Sequence, residues 1–181
     1  MAEWSRVARR IRVPLGFAFA VLYFWLARPT WRSLTIGVVL ILPGLFVRAL
    51  ASGHVRKNEA LATSGPYAYT RNPLYLGSLL IGIGFALAAR SWWIGMMLVV
   101  MFFVIYLPVI RSEEGFLREK FPQFDEYAKR VPRMFPRLTP ASSEGGGGFS
   151  MELYSKHREW NALLGTAAIV VALIIKMKMF R

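Results

Sequence analysis

Five apolar runs, with nearly all of the charge placed between them, most constrain what this chain can fold into. They are Val13–Ala27, Leu34–Val47, Leu74–Ala89, Trp92–Ile110 and Ala162–Ile175. A helix needs about 20 predominantly apolar residues to cross a bilayer, and the shorter runs approach this length when flanking aromatic residues are counted. A buried helix of a soluble core is the alternative for the two shortest runs. The pattern predicts an all-α, polytopic integral membrane protein with about five transmembrane helices.

The positions of the basic residues predict the orientation in the membrane. The chain has 23 Lys and Arg residues against 10 Asp and Glu residues, a formal net charge of +13. Cytoplasmic loops carry an excess of Lys and Arg, and most of these residues lie in the N-terminal leader and in the segments 48–72 and 111–160. We therefore expect the N-terminus and both long segments in the cytoplasm. No basic face interleaved with aromatic residues is visible, so we expect no nucleic-acid partner.

The residue types present exclude some chemistry. The sequence has no cysteine, which excludes disulfides, thiolate metal sites and a cysteine nucleophile. The two histidines, His54 and His157, are far apart in the sequence and lack the spacing of a metal site. We therefore predict no structural metal. Arg48 is an ionisable residue near the end of an apolar run, where it either has a function or extends its charge to the interface.

The long segment 111–160 predicts cytoplasmic amphipathic helices. In "RSEEGFLREKF", Leu117 and Phe121 lie on one helical face. Pro122 interrupts this helix and can begin the next, "PQFDEYAKRV", which has Phe124, Tyr127, Ala128 and Val131 at helical spacing. Docking on the membrane surface is the simplest interpretation of these helices.

Composition divides the chain into three parts. Residues 1–140 form the predicted membrane core, which comprises helices one to four and the amphipathic segment. Residues 141–150 include four consecutive glycines and predict a flexible linker. Residues 151–181 form a C-terminal transmembrane helix, which either belongs to the fold or only anchors the tail.

The stretch "TSGPYAYTRNPLYLG", Thr63–Gly77, marks the start of the third apolar helix. Asn72 is a favourable N-cap and Pro73 a favourable first helical residue. Since a helix N-terminus attracts anions, the adjacent Arg71 could bind a carboxylate or phosphate through two parallel hydrogen bonds. Gly77 and the glycines after it leave room for a flat ligand, with close helix packing as the alternative.

Two carboxylates, Glu113 and Glu114, follow the fourth apolar run. Because the third and fourth helices form a predicted hairpin, we expect these carboxylates to lie near Arg71. The three side chains could then bind a ligand with both charges, such as an amino-acid head group or S-adenosylmethionine. Alternatively, the carboxylates pair with Arg111 or Arg71 and only solubilise the interface.

Two stretches carry a family resemblance. "GPYAYTRNPLYLG", followed by "RSEEGFLREKFPQFDEYAKRVPRMFP", resembles the isoprenylcysteine carboxyl methyltransferase family and the related phospholipid methyltransferases. The preceding "RALASGHVRKNEALATSGPY" is similar to the lead-in of bacterial members, so the resemblance covers residues 48–137. The family pattern often has His where this chain has Asn72, and Gly where it has Pro122.

The resemblance implies an integral membrane enzyme, in the bacterial inner membrane, that transfers a methyl group from S-adenosylmethionine to a lipidic acceptor. Its cytoplasmic active site would include Glu113, Glu114, Tyr127 and Arg130 as catalytic residues. Glu113 or Glu114 would hold the amino group of the cofactor, while Tyr127, Arg130 and Arg133 would close the pocket or contact the acceptor. The remaining wall of the cofactor pocket is implied to consist of Tyr67, Arg71, Asn72, Pro73, Tyr75 and Gly77.

Several alternatives stay open at this level. The acceptor can be a prenylated cysteine carboxylate, an aminophospholipid or a small lipophilic metabolite, and membrane lipid is the expected environment. A membrane reductase that uses NADPH and a non-catalytic scaffold of the same fold are the other two classes of function. The sequence does not decide the oligomeric state.

Overall fold

The computed structural model describes residues 16, 18–56, 59–141 and 148–179. Its regular secondary structure is helical, with no strand among these residues. This confirms the predicted all-α class. A short 3₁₀ turn, Gly65–Ala68, precedes the third helix. The helices are α1 (18–26), α2 (Trp31–His54), α3 (Pro73–Ala89), α4 (Trp92–Lys120), α5 (Phe124–Arg130), α6 (Met151–Lys156) and α7 (Trp160–Met179).

Three of the described helices are long and apolar enough to cross a membrane: α2, α4 and α7, with 24, 29 and 20 residues. The predicted count of about five is not confirmed. Helix α3 is apolar but has 17 residues, which is about 26 Å of helix against a hydrocarbon core of about 30 Å. The first apolar run begins at Val13, and residues 13–15 and 17 lie outside the described part of the chain.

Helix α4 is longer than the fourth apolar run. The sequence predicts a membrane helix that ends near Ile110 and a separate amphipathic helix after it, whereas the structure continues one helix to Lys120. Pro108 lies inside this helix and cannot donate a backbone hydrogen bond. A π-helical segment, Phe102–Tyr106, directly precedes this turn of the helix, and such a widened turn is one way in which a helix accommodates an interruption.

The described residues form two units. The first unit takes its described residues from 16–42, 80–114 and 166–179, and the second from 43–79 and 115–165. Helices α2, α3, α4 and α7 each contribute residues to both.

In the first unit, α2 and α3 approach each other closely at two glycines. A Cβ atom added to Gly37 would lie 2.5 Å from the carbonyl oxygen of Gly84, and one added to Gly84 would lie 2.6 Å from that of Gly37. The Ser33 hydroxyl donates a hydrogen bond to the Ala88 carbonyl at 2.9 Å. These contacts leave no room for a side chain at either glycine.

In the second unit, α5 packs on the protein through the face that the sequence predicts. Phe124, Tyr127 and Val131 are buried together, which confirms their helical spacing. Their apolar face is buried within the protein itself, whereas the sequence suggests that it docks on the membrane surface. The partly buried residues around this cluster are Leu61, Leu117, Phe121, Ala128 and Ala141.

The start of the C-terminal segment is hydrogen-bonded to the end of α2 within the second unit. The Ser150 backbone N–H donates to the Gly53 carbonyl at 2.9 Å, and the Ser150 side chain accepts from the Leu153 N–H at the start of α6. A ring nitrogen of His157 lies 3.0 Å from the Ser52 carbonyl oxygen. These contacts involve residues before α7, so the role of the C-terminal helix stays a prediction. Of the predicted linker, residues 142–147 lie outside the described residues.

Candidate functional site

The two stretches that carry the family resemblance are hydrogen-bonded to each other within the second unit. The Thr70 hydroxyl lies 3.2 Å from each of the Arg133 and Met134 carbonyl oxygens. The Arg137 backbone N–H donates to the Tyr69 carbonyl at 3.0 Å. Segment 131–141 therefore lies along residues 68–72 through main-chain contacts, which suits its extended, proline-interrupted backbone.

Asn72 directly precedes α3 and is also hydrogen-bonded to segment 131–141. Its carbonyl accepts the Leu76 N–H at 3.0 Å in the first turn of the helix. Its side-chain amide donates to the Arg133 carbonyl at 3.0 Å, and the residue is buried. Pro73 is fully buried as the first helical residue, so the predicted start of the helix is confirmed. These contacts give Asn72 a structural role, and its contact with a cofactor stays a prediction.

Arg71 lies directly before the N-terminus of α3 and is half-buried. Its backbone N–H donates to the Pro132 carbonyl at 2.9 Å, and one guanidinium nitrogen donates to the Ala128 carbonyl at 3.1 Å. The guanidinium is thus fixed between the start of α3 and the end of α5. A cation next to a helix N-terminus is a favourable arrangement for an anion.

The hydroxyl of Tyr127 donates a hydrogen bond to the Tyr67 carbonyl at 2.8 Å, and both residues are buried. This bond joins α5 to the 3₁₀ turn that precedes α3. A predicted catalytic residue and a predicted cofactor-binding residue are thus brought together. The bond holds Tyr127 in place, while its role in catalysis stays a prediction.

Gly77 is explained by helix packing. A Cβ atom at this position would lie 2.5 Å from Cγ of Arg48 and 2.6 Å from the Gly44 carbonyl oxygen. Because α2 already occupies the space beside Gly77, the packing alternative accounts for this glycine. Tyr75, two residues earlier, is half-buried. Contact of either residue with a cofactor stays a prediction.

The remaining predicted residues of α5 and the segment after it are on the surface. Arg130 and Arg133 are both exposed. The Arg130 side chain reaches the Glu126 carbonyl at 3.5 Å, a long contact within its own helix.

Glu113 and Glu114 lie in the first unit, near the C-terminal end of α4. Glu114 is 7% exposed, whereas Glu113 is half-buried. A buried carboxylate is costly unless a cation or hydrogen-bond donors match it. The predicted proximity of these carboxylates to Arg71 involves residues of both units and stays a prediction.

The sequence pattern did not identify the partners of Arg48. Its guanidinium forms two hydrogen bonds with the Glu159 carboxylate, at 2.6 and 3.0 Å. A third nitrogen donates to the Ser78 hydroxyl. Arg48 therefore forms a largely buried ion pair with Glu159. Glu159 lies 111 residues from Arg48 in the sequence and directly precedes α7. The isolated charge of Arg48 beside an apolar run was the only sequence signal for this ion pair.

The chemistry of these side chains fits part of a zwitterionic methyl donor. Arg71, beside the first turn of α3, suits the carboxylate of S-adenosylmethionine. The amino group of that cofactor needs an acceptor or a carboxylate, and Glu113 and Glu114 are the residues of this type that the sequence predicts. The fit therefore rests on the donor set and not on the glycines, since α2 fills the space at Gly77.

A ring nitrogen of each histidine lies within hydrogen-bond distance of a backbone carbonyl oxygen of α2. One ring nitrogen of His54 lies 2.7 Å from the Leu50 carbonyl oxygen in the preceding turn of α2. Within the described part of the chain, no group of three or more His, Cys, Asp or Glu side chains could hold a metal ion.

Comparison with known proteins identifies the family. The phospholipid methyltransferase family matches residues 11–123, which confirms the family resemblance. The cobalt-zinc-cadmium resistance protein CzcN of Cupriavidus metallidurans is 38% identical over 135 residues, which cover 71% of this chain and 62% of that protein. The nickel-cobalt-cadmium resistance protein NccN of Alcaligenes xylosoxydans xylosoxydans is 36% identical over 120 residues, which cover 64% of this chain and 56% of that protein.

The chain thus spans about three fifths of the length of these curated relatives. No solved structure matches it. The family match covers α1 to α4, including Arg71 and Asn72 directly before α3. On this match, the chain belongs to the phospholipid methyltransferase family.

Proposed function

We propose that this protein is an integral membrane methyltransferase that uses S-adenosylmethionine and acts on a lipophilic or membrane-embedded acceptor. The family match over residues 11–123 carries the proposal. The hydrogen bonds between segment 131–141 and residues 68–72 support the proposal, because they join the two stretches on which the resemblance rests. Three helices that are long and apolar enough to cross a membrane suit an acceptor that enters from the bilayer.

The chain's own residues have mainly a positioning task. When bound, S-adenosylmethionine supplies a methyl group on a positively charged sulfur. Displacement of a neutral leaving group needs alignment and exclusion of water more than proton transfer. Arg71 would bind the carboxylate of the donor, and Glu113 or Glu114 would accept hydrogen bonds from its amino group. Tyr127 holds α5 against the turn at Tyr67. Arg130 and Arg133 would contact the methyl acceptor.

The acceptor decides how much acid–base chemistry the chain must provide. An isoprenylcysteine-like carboxylate needs no proton removed, whereas an aminophospholipid-like amine must lose one, which Glu113 or Glu114 could accept. Transfer of a radiolabelled methyl group into prenylcysteine analogues and into a total lipid extract distinguishes these acceptors. We place the site at the cytoplasmic face of the inner membrane, since most Lys and Arg residues flank it.

The first prediction is that the full-length protein, purified in a neutral detergent, binds S-adenosylmethionine and S-adenosylhomocysteine but not NADPH. Isothermal calorimetry and thermal shift measure all three ligands. Binding of NADPH alone contradicts the proposal in favour of a membrane reductase. Binding of none of the three favours a non-catalytic scaffold.

The second prediction concerns Arg71→Ala and Glu114→Ala. Each variant should bind S-adenosylmethionine about tenfold more weakly or worse, because each loses a charge-assisted hydrogen bond to the ligand. Calorimetry measures the affinity. Arg71→Lys should restore only part of it, since a lysine keeps the charge but not the two-pronged geometry.

Two exposed residues of the same types serve as matched controls. Arg56→Ala and Glu119→Ala remove the same charges at exposed positions, and we expect unchanged affinity. Thermal unfolding of all variants separates a loss of binding from a loss of fold. If Arg71→Ala and Glu114→Ala bind as tightly as the controls, the assignment of these residues is wrong.

The names of both relatives favour a second candidate, a role in resistance to cobalt, zinc, cadmium or nickel. Under this proposal, a strain that lacks the protein grows less well in the presence of these metals. Complementation with the Arg71→Ala variant tests whether the resistance depends on the proposed methyl transfer. If this variant restores growth in the presence of the metals, metal resistance does not depend on the proposed methyl transfer.

A further inference from the structure

The first unit contains a cleft of about 820 Å³, far larger than a bound water needs and within the size range of small-molecule sites. It opens among the turn between α1 and α2, the turn between α3 and α4, and the end of α7. Its walls combine positive charge with aromatic surface. The residues that define it are Phe24, Trp25, Arg28, Trp31, Arg90 and Lys176.

Among the described residues of the first unit, no carboxylate lies beside the positive charge of this cleft. None of the lining residues is Asp or Glu, and in the described part of the first unit the only acidic residues are Glu113 and Glu114. Glu113 lies on α4, which begins at Trp92 beside the cleft. At 1.5 Å per residue, these 21 positions correspond to about 31 Å of helix, well beyond the range of an ion pair.

The backbone holds the two arginines of the cleft in adjacent turns. The Arg28 N–H donates a hydrogen bond to the Ala89 carbonyl at 2.8 Å, so Arg28 lies next to the turn that contains Arg90. Arg90 has a φ of 53°, the left-handed conformation that usually takes Gly or Asn at the end of a helix. A charged side chain at this backbone position is disfavoured by local conformation alone, and such departures concentrate at functional sites.

Lys176 completes the cationic wall from α7. Its ammonium donates to the Phe24 carbonyl and lies 5.0 Å from the centroid of the Phe24 ring. These contacts orient the side chain, but they do not neutralise its charge. Three cations therefore line one cleft.

The tryptophans around the cleft indicate a position at a membrane–water interface. Trp25 and Trp31 line it, and Trp92 and Trp93 begin α4 directly after Arg90. All four indole side chains are exposed, and exposed Trp residues are enriched where a membrane protein passes through the head-group region. An anion that reaches this depth with an apolar body attached is a lipid.

We propose that this cleft binds the phosphate group of an anionic phospholipid. Arg28 and Arg90 hold the phosphate oxygens through paired hydrogen bonds, as guanidinium groups do, and Lys176 adds a point charge. The rings of Trp25 and Trp31 cover the glycerol and the first acyl carbons. Anionic lipids are preferred over zwitterionic ones, because a choline or ethanolamine group brings a cation into a cleft that already has three. The site is independent of the methyl transfer proposed above, since it shares no residue with it.

Native mass spectrometry of the full chain in a neutral detergent tests the proposal, with phosphatidylglycerol, phosphatidylcholine and inorganic phosphate as separate probes. We expect phosphatidylglycerol to bind about tenfold more tightly than phosphatidylcholine, and Arg28→Gln/Arg90→Gln to lower its affinity about tenfold. The matched control is Arg32→Gln/Lys178→Gln, which removes two exposed cations of the same unit that do not line the cleft. This control should bind phosphatidylglycerol as the unchanged protein does.

Arg90→Gly separates binding from folding. Glycine suits the left-handed backbone of this position, so the melting temperature should be unchanged or higher while lipid affinity falls. Equal binding of the two lipids, or equal affinity of the cleft and control variants, overturns the proposal. Displacement of the lipid by inorganic phosphate overturns the assignment to a lipid, because the cleft would then be a site for the free ion.

Discussion

Replacing Arg48 with methionine is expected to lower the free energy of unfolding by about 3–5 kcal/mol, the range found when one partner of a buried ion pair is removed. The side chains of Arg48 and Glu159 are 23% and 9% exposed. Loss of the guanidinium leaves the Glu159 carboxylate without its two hydrogen bonds. The carboxylate must then take up a proton or move towards water, and either change loosens the attachment of the segment before α7. Titration with a denaturing detergent, followed by tryptophan fluorescence, measures the effect.

A surface ion pair of the same unit provides the matched control. Arg118 and Asp125 lie 2.7 Å apart, with side chains 59% and 61% exposed. An exposed pair of this kind contributes about 0.2–1 kcal/mol, so Arg118→Met should have a small effect. Similar losses for Arg48→Met and Arg118→Met would show that the pair with Glu159 contributes no more than a surface contact.

The double variant Arg48→Met/Glu159→Met tests the cause of the expected loss. If the cost arises from an unmatched charge, removal of both charges should restore much of the stability, because apolar replacement of a whole buried pair is often close to neutral. If the double variant is as unstable as the sum of the single variants, the two residues act independently. A double-mutant cycle measures this coupling.

Local sequence signals predicted the features that depend on neighbouring residues. Asn72 and Pro73 mark the start of α3 because capping and a fixed φ act within one turn. The buried face of α5 follows from the spacing of Phe124, Tyr127 and Val131. The spacing does not predict what this apolar face packs against. In the structure it packs against Leu61 and Leu117 of the same unit.

Contacts between distant residues account for what the sequence did not predict. The partner of Arg48 lies 111 residues away, and no periodic pattern connects the two. The Arg133 carbonyl accepts a hydrogen bond from the Asn72 side chain. Every residue has a backbone carbonyl, so the residue type at position 133 does not predict this contact. At Gly77 the sequence left a ligand and a neighbouring helix as alternatives, because both require a missing side chain, and the neighbouring helix is visible only in three dimensions.

The contact between Gly37 and Gly84 gives the second large prediction, for Gly84→Leu. A Cβ atom at this position would lie 2.6 Å from the Gly37 carbonyl oxygen and 2.7 Å from Cγ1 of Ile41. The first of these is a backbone atom, which cannot move without displacing α2. We therefore expect a loss of about 3 kcal/mol in the free energy of unfolding, at the upper end for overpacked sites, measured by the same detergent titration.

Gly95→Leu is the control that isolates this cause. It introduces the same side chain into another helix of the first unit, at a glycine where no atom lies within 4 Å of the added Cβ. Since leucine favours a helix over glycine by about 0.8 kcal/mol or less, this variant should be as stable as the unchanged protein or slightly more so. Equal stability of the two variants would mean that α2 and α3 can separate at little cost. Helix packing would then not explain the glycine at position 84, and a bound ligand would be the alternative explanation.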